Sequence, residues 1–482
     1  MTKLHLATAF LTALALAPAV ATAQTEVAQA ATVLSAEDMR VLAQQLLNEN
    51  RPSDAAQVLN ALLKRDPRDP VALILGAQSA LDQARPRQAA SLARRGYQAA
   101  GDDTSRYVAA RLAARAHAEL GQDTRAQFWL RRARQVSPDA ASAASVAQDF
   151  TFVRNRNPLS FNLNFGASPS NNINNGSRSD TATIGPFVTV LSESAKPLSG
   201  VQFDAAAAVQ YRALETQRMQ LSLAFDLSTT NYALSQSSKD ALQRDIESTI
   251  GDTSELPRTG NDFSYTEASF SIIHRWITKP GAMPTTFQLQ TGKSWYGGDP
   301  YQVFIAPSAS HVFALGQTDQ LRIDIFARQN VSARKSKADI FGSPVEYPDI
   351  LNVGAGIGYS SLQPSGDIIS LSIARRASIS DSTENDFTAW RVGVGFDLAK
   401  PVMNIRFGFG VQLEERKYDE SFYVDGIRRD RSVNAQVTAL FDNVEYYGFS
   451  PTVTLGVGRT FSPAERFDTE YATVGMDLRS AF

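Results

Sequence analysis

The stretch NIRFGFGVQLE, Asn404–Glu414, alternates without a break. Ile405, Phe407, Phe409, Val411 and Leu413 are apolar; Asn404, Arg406, Gly408, Gly410, Gln412 and Glu414 are polar or lack a side chain. A period of two puts the two sets on opposite faces of a β-strand. The apolar face must meet either a packed protein interior or lipid.

The same pattern recurs through the last two thirds of the chain. Met219, Leu221, Leu223, Phe225 and Leu227 share one face of MQLSLAFDLS, and Gln220, Ser222, Ala224 and Asp226 share the other. In LRIDIFAR, Arg322, Asp324, Phe326 and Arg328 oppose Leu321, Ile323, Ile325 and Ala327. In RVGVGFDL, Arg391, Gly393, Gly395 and Asp397 oppose Val392, Val394, Phe396 and Leu398. Soluble strands average about five to six residues. These run to about 9–13, enough to cross a bilayer at a tilt. Polar faces this charged suit the inside of a barrel whose outside meets lipid, and a sheet in lipid must close on itself. The expected lumen residues are Arg322, Asp324, Arg328, Arg391, Asp397, Arg406, Gln412 and Glu414.

Fifteen segments read as strands: 158–166, 182–192, 200–212, 217–229, 263–276, 284–296, 302–314, 320–331, 350–362, 367–378, 387–398, 402–417, 431–441, 447–458 and 469–482. Single-chain bacterial barrels have an even number. Long polar connections fall at 230–262, 332–349 and 418–430, and alternate with short ones. With long loops outside and the C-terminus in the periplasm, either 158–166 or 182–192 is not a membrane strand, leaving 14. The chain closes on Phe482, similar to the sorting signal that outer-membrane barrels present to the barrel assembly machinery.

Upstream, apolar residues fall at helical spacing, as in VLAQQLL and AAQVLNALL. Ala43, Ala77 and Ala114 are 34 and 37 apart, Ala55, Ala89 and Ala126 repeat those intervals, and Pro67 and Pro138 are 71 apart. Small residues at two fixed points with a closing proline resemble tetratricopeptide repeats. The expected fold is therefore multi-domain: all-α tetratricopeptide-like repeats over 24–150, then a transmembrane antiparallel β-barrel over 151–482. Residues 1–23 read as an export signal, with Lys3 and His5, an apolar run Leu6–Ala17, and Ala21-Thr22-Ala23 as a cleavage site. If first helices line the concave face of the array, the groove residues are Arg40, Gln44, Ile74, Gln78, Arg111 and Arg115, and the arginines favour an acidic partner.

Charge and composition narrow the function. Among 482 residues, 47 Lys and Arg balance 49 Asp and Glu, which gives no reason to expect nucleic acid. The absence of cysteine excludes disulfides and thiolate chemistry. The four histidines are scattered, and no metal, cofactor or catalytic group is expected. GAGIGY, 354–359, alternates Gly354, Gly356 and Gly358 with bulkier residues, which is a strand with a thin inner face rather than a phosphate loop. The charges of Glu414, Glu415 and Asp419 read as solvated groups at a strand end.

The segment LSFNLNFGASPSNNINNGS, 159–177, resembles the first barrel segment of the Slam family, the surface lipoprotein assembly modulators, through Phe165, Gly166, Pro169, Ser170, Asn171, Ile173, Asn174 and Asn175. The plan of leader, helical repeats, barrel and terminal Phe is similar to that family as well. The resemblance implies an outer-membrane translocator that delivers proteins, mostly lipoproteins, from periplasm to cell surface without catalysis. Its implied partners are a passenger protein, a periplasmic chaperone and outer-membrane lipid. Two other plans fit the residues: an exporter of polysaccharide, and a porin with an accessory periplasmic domain. Passage through the lumen and passage between the first and last strands are both open on this reading.

Overall fold

The computed structural model describes residues 34–249, 253, 256–279, 281–334, 337, 338, 344, 345, 347–441, 444 and 449–480. The leader and Phe482 lie outside the described residues.

Seven helices come first among them: α1 (Ala36–Asn48), α2 (Pro52–Arg65), α3 (Pro70–Asp82), α4 (Pro86–Ala99), α5 (Asp103–Glu119), α6 (Asp123–Gln135) and α7 (Ala140–Arg156). They pack in sequential order. The odd-numbered helices start on capping side chains: Ser35, Asp69, Asp102 and Asp139 each accept a backbone N–H of the first turn. The even-numbered α2 and α4 start on proline, which needs no partner for the donor it lacks. The six marker alanines are buried at the helix crossings, with Ala43, Ala55, Ala77, Ala89 and Ala126 at 0% exposure and Ala114 at 3%. Having no side chain beyond Cβ, they let the helices approach closely. The three pairs are tetratricopeptide-like, and α7 covers the open side of the last one. It continues past Phe150 to Arg156, because Val146, Phe150 and Val153 form an apolar stripe at helical spacing. The change of period therefore falls after residue 156.

The rest is sheet. Its strands are β1 (Leu159–Ser170), β2 (Thr181–Ile184), β3 (Phe187–Val190), β4 (Gly200–Glu215), β5 (Met219–Leu234), β6 (Tyr265–Trp276), β7 (Thr285–Tyr296), β8 (Asp299–Leu315), β9 (Asp319–Ser332), β10 (Lys337–Ala338), β11 (Pro344–Val345), β12 (Ile350–Leu362), β13 (Ile368–Ile379), β14 (Phe387–Asp397), β15 (Arg406–Tyr418), β16 (Arg428–Leu440), β17 (Phe449–Phe461) and β18 (Thr469–Ser480). Fourteen of them close into one antiparallel barrel in the order β1-β18-β17-β16-β15-β14-β13-β12-β9-β8-β7-β6-β5-β4. Helix α8 (Gln236–Ser248) lies in the connection after β5. Of the two doubtful segments, 159–170 is a barrel strand. The region 182–192 instead folds as the separate β2–β3 hairpin. Its tight Gly185-Pro186 turn leaves each arm only four residues, too short to cross a bilayer.

Alternation decides what faces where. On β15, Phe409, Val411 and Leu413 are exposed on the outer wall, while Gly408 and Glu414 are buried within. Phe161, Leu163 and Phe165 of β1, and Val474, Met476 and Leu478 of β18, are exposed in the same way. A closed sheet leaves no unpaired edge, and an apolar outer band then faces lipid. None of the described helices is long and apolar enough to cross a membrane.

Candidate functional site: repeat groove, lumen and cap

The repeats carry a groove between α5 and α7. It has a volume of about 450 Å³ and is walled by Tyr107, Val108, Leu112, Phe152 and Val153. Arg111 and Arg115 stand on its wall. Arg111 bonds Asp149 at 2.9 Å and the Tyr107 hydroxyl at 3.2 Å, and Arg115 bonds Glu119 at 2.9 Å. Phe152, 68% exposed, offers its ring to solvent there. The other four expected groove residues are not gathered at it. Arg40 ties α1 to the start of α3 through buried Asp69, at 2.9 Å. Gln44 and Gln78 bond Asn48 and Asp82 on their own helices. Ile74 is a correction: it is 9% exposed, packed against Gly96, because α3 is covered by its neighbours over most of its length. Phe152 escaped sequence reasoning because α7 extends beyond the expected end of the helical region, and Tyr107 and Asp149 because no repeat-register position marked them.

A short joint fixes the repeats to the barrel. Arg212 of β4 donates to the carbonyls of Asn155, Arg156 and Asn157 at 2.7, 3.1 and 3.2 Å. These are orphan acceptors at the C-terminus of α7, where a cation is favoured. Arg156 grips Asp123 on α6, and Asn157 bonds Thr124 at 3.1 Å. Arg131 lies 5.2 Å from the rings of both Phe150 on α7 and Phe449 on β17.

Every expected lumen residue falls on the inner register of its strand. Arg322, Asp397 and Gln412 line a cavity of about 880 Å³ with Ser370, Ser372 and Gly393. Arg322 pairs loosely with Asp324, at 3.8 Å. Arg328 bonds Glu267 at 2.7 Å. Arg406 opens β15 near the repeat end. Glu414 is not a solvated strand-end charge. Its side chain is 4% exposed and accepts from Arg376 at 3.0 Å and from Arg391 and Arg416 at 2.5 Å each. Arg376 and Arg416 were not singled out from sequence, although each stands two residues from an alternating apolar run.

Folded connections, here called the cap, gather at the end of the barrel away from the repeats. β1 runs from the joint towards it, so the 171–199 connection, α8 and the 462–468 connection all lie there. The Asn-rich motif is the fastening. Asn171 Oδ1 accepts from the Ala472 N–H at 2.8 Å. Asn172, 6% exposed, donates to the carbonyls of Gly176 and Glu470 at 2.9 and 2.8 Å and accepts from the Gly176 N–H at 2.7 Å. Asn174 donates to the carbonyls of Ser194 and Lys196 at 2.9 and 2.8 Å and accepts from the Leu198 N–H at 2.9 Å. Asn175 takes a left-handed backbone, φ 52°, which asparagine tolerates. Gly176 follows, and a Cβ on it would lie 2.1 Å from the Lys196 carbonyl oxygen. Ile173 joins Leu198, Leu234, Ala241 and Leu242 in a small core under the cap. Asn172, absent from the family motif, makes as many side-chain bonds as Asn174.

Carboxylates outside the membrane strands hold the cap as well. Lys196, and then Arg244, keep Glu193 below the usual carboxylate range. Backbone N–H groups, of Glu465 itself and of Thr183, do the same for Glu465. Among the described residues no group of acids and histidines could hold a metal ion.

No protein-family model matches the sequence, and no curated protein matches it significantly. Solved structures are similar in fold. The type III secretion translocator chaperone SycD of Yersinia enterocolitica matches the helical region at 16% identity, over 26% of this chain and 88% of that one, with a TM-score of 0.24. OprB of Pseudomonas putida matches the barrel at 10% identity, over 69% of this chain and 96% of that one, with a TM-score of 0.35. OmpT of Vibrio cholerae does so at 9%, over 67% and 99%, with a TM-score of 0.32. These likenesses concern fold alone. The chain is a helical-repeat protein joined to a 14-stranded barrel of the outer-membrane type.

Proposed function

We propose that this protein is an outer-membrane translocator that delivers a protein passenger from the periplasm to the cell surface. In this reading the repeats sit in the periplasm and receive the passenger, or a chaperone carrying it, in the groove between α5 and α7. The barrel provides the way out, and the cap keeps it shut at rest. The observation that carries the reading is the coupling of a partly apolar groove to a barrel through a fixed joint, with the polar cavity inside and the fastened cap at the far end. A groove with apolar walls and an exposed Phe suits a segment of polypeptide better than an ion or a sugar. The resemblance of the Asn-rich segment to the Slam family agrees with a lipoprotein passenger.

The test is co-expression with candidate surface lipoproteins and protease access on intact cells. The passenger is expected to reach the surface with the native chain and to stay inside with Phe152→Glu, while the barrel still assembles. Equal surface exposure with and without the whole protein would overturn the proposal. A second reading, a solute channel, is favoured by the serine- and glycine-lined cavity, and steady conductance without any passenger would support it.

A further inference from the structure

The lumen charges are segregated. On β9, β13, β14 and β15 the inner register carries Arg322, Arg328, Arg376, Arg391, Arg406 and Arg416 against Asp324, Asp397 and Glu414. Across the barrel, β4, β5 and β18 carry Asp204, Asp226 and Asp477. Arg212, engaged with α7, and by register Arg479 share that arc but sit at the repeat-end rim, as Arg406 does on the other wall. One wall is therefore basic and the facing wall acidic, whatever the net charge.

The basic wall concentrates its excess at one place. Three guanidinium groups converge on the single carboxylate of Glu414, an imbalance of two positive charges. Although the three arginines are partly exposed to the lumen, such a local excess favours a further anion. Arg376 is the least satisfied of the three. It reaches Glu414 through one terminal nitrogen, while its Nε is buried and has no hydrogen-bond partner. The same residue lines a cavity of about 470 Å³ together with Arg328, Gln288, Gln290, Ser308 and Asn352. Arg328 adds positive potential, although Glu267 and Asn330 already take its donors. Ser308 and Asn352 bring a hydroxyl and an amide to the same space.

We infer that this cavity binds an oxyanion, a phosphate or carboxylate group, at the Arg376 guanidinium. The planar guanidinium suits either group, since both present oxygens at matching spacing. The site stands whatever cargo the barrel carries, and it sets the side of the lumen along which an anionic group would travel.

The test uses the full mature chain in detergent micelles, with calorimetric titration of inorganic phosphate in one arm and citrate in the other. Choline chloride is the cation control. At least one anion is expected to bind saturably while choline does not, and the arm that binds names the group. Arg376→Gln should weaken binding tenfold or more. Ser308→Glu, which brings its own carboxylate to the cavity and leaves Arg376 and Glu414 in place, should abolish it. Both variants are first checked for the compact barrel band on unheated gels, and Ser308→Glu decides alone if Arg376→Gln does not assemble. Absence of saturable binding in both arms, or unchanged binding in the assembled variants, overturns the proposal. Neither result depends on surface delivery of a passenger.

Discussion

The two regions bury opposite halves of the same alphabet. In the repeats the apolar residues turn inwards: Leu59 and Leu73 are each 1% exposed, and the marker alanines close the gaps between helices. In the barrel they turn outwards: Phe409, Val411 and Leu413 are 44, 47 and 48% exposed, while Glu414 is sealed in. One chain cannot follow both rules in one solvent. The repeats obey water, and the barrel wall obeys lipid, where hydrocarbon outside replaces a packed core and the lumen takes the polar groups.

That contrast can be broken from either side. Leu59→Ala should have the largest effect, about 2–5 kcal/mol, since it opens a cavity in a packed interior. It is read as an earlier unfolding transition of the helical signal. Val411→Ala on the barrel exterior leaves no cavity, because lipid tails fill the space, and the barrel's heat-induced gel shift should hardly move. Equal costs at the two sites would refute the difference in surroundings.

Inside the barrel, Glu414→Gln removes the one carboxylate that three arginines share. Breaking a buried pair costs about 3–5 kcal/mol. The partly water-exposed arginines put this case near the lower end, at about 3 kcal/mol. The gel shift should occur at a clearly lower temperature, with the helical transition unchanged. At the cap, Asn172→Ala leaves the Glu470 carbonyl and both Gly176 backbone groups without this partner, a cost of roughly 1–3 kcal/mol. Faster hydrogen exchange should be confined to 171–199 and the start of β18.

The smallest effect is that of pH. Glu193 and Glu465 are held below their ordinary range. Such groups stabilise the folded form above the unfolded carboxylate pKa, about 4.3, and lose that contribution as pH falls through their folded values. Hydrogen exchange in the cap should therefore be constant from about pH 8 to 6, after correction for intrinsic rates. Cap protection should weaken below about pH 4.

Much of this was legible in the sequence because period and side-chain size are local properties. The alternation of Ile405 to Leu413 announced the wall, and the recurrence of Ala43, Ala77 and Ala114 announced the helix crossings. Topology settled the strand number, since 182–192 alternates like a wall strand but its Gly185-Pro186 turn splits it into a hairpin. The site was harder to read. Arg111 and Arg115 stand at the groove as the repeat register suggested, yet its other wall comes from α7, distant in sequence and running across the assumed boundary at 150. Arg376 joins Glu414 across 38 positions, and Asn172 reaches Glu470 across 298. Pairings at such separations leave no local pattern: strand pairing through β14 brings Arg376 to Glu414, and barrel closure brings Asn172 to Glu470.

The account places repeats and cap on opposite sides of a membrane, with the apolar band between them. The chain has no cysteine, so single cysteines can be introduced at Gln57 in the repeats, Val411 in the band and Val188 in the β2–β3 hairpin. A membrane-impermeant maleimide on intact cells should label Val188→Cys alone. Opening the outer membrane should add Gln57→Cys and leave Val411→Cys unreactive. Labelling of Gln57→Cys on intact cells, or of Val411→Cys in either state, would contradict it.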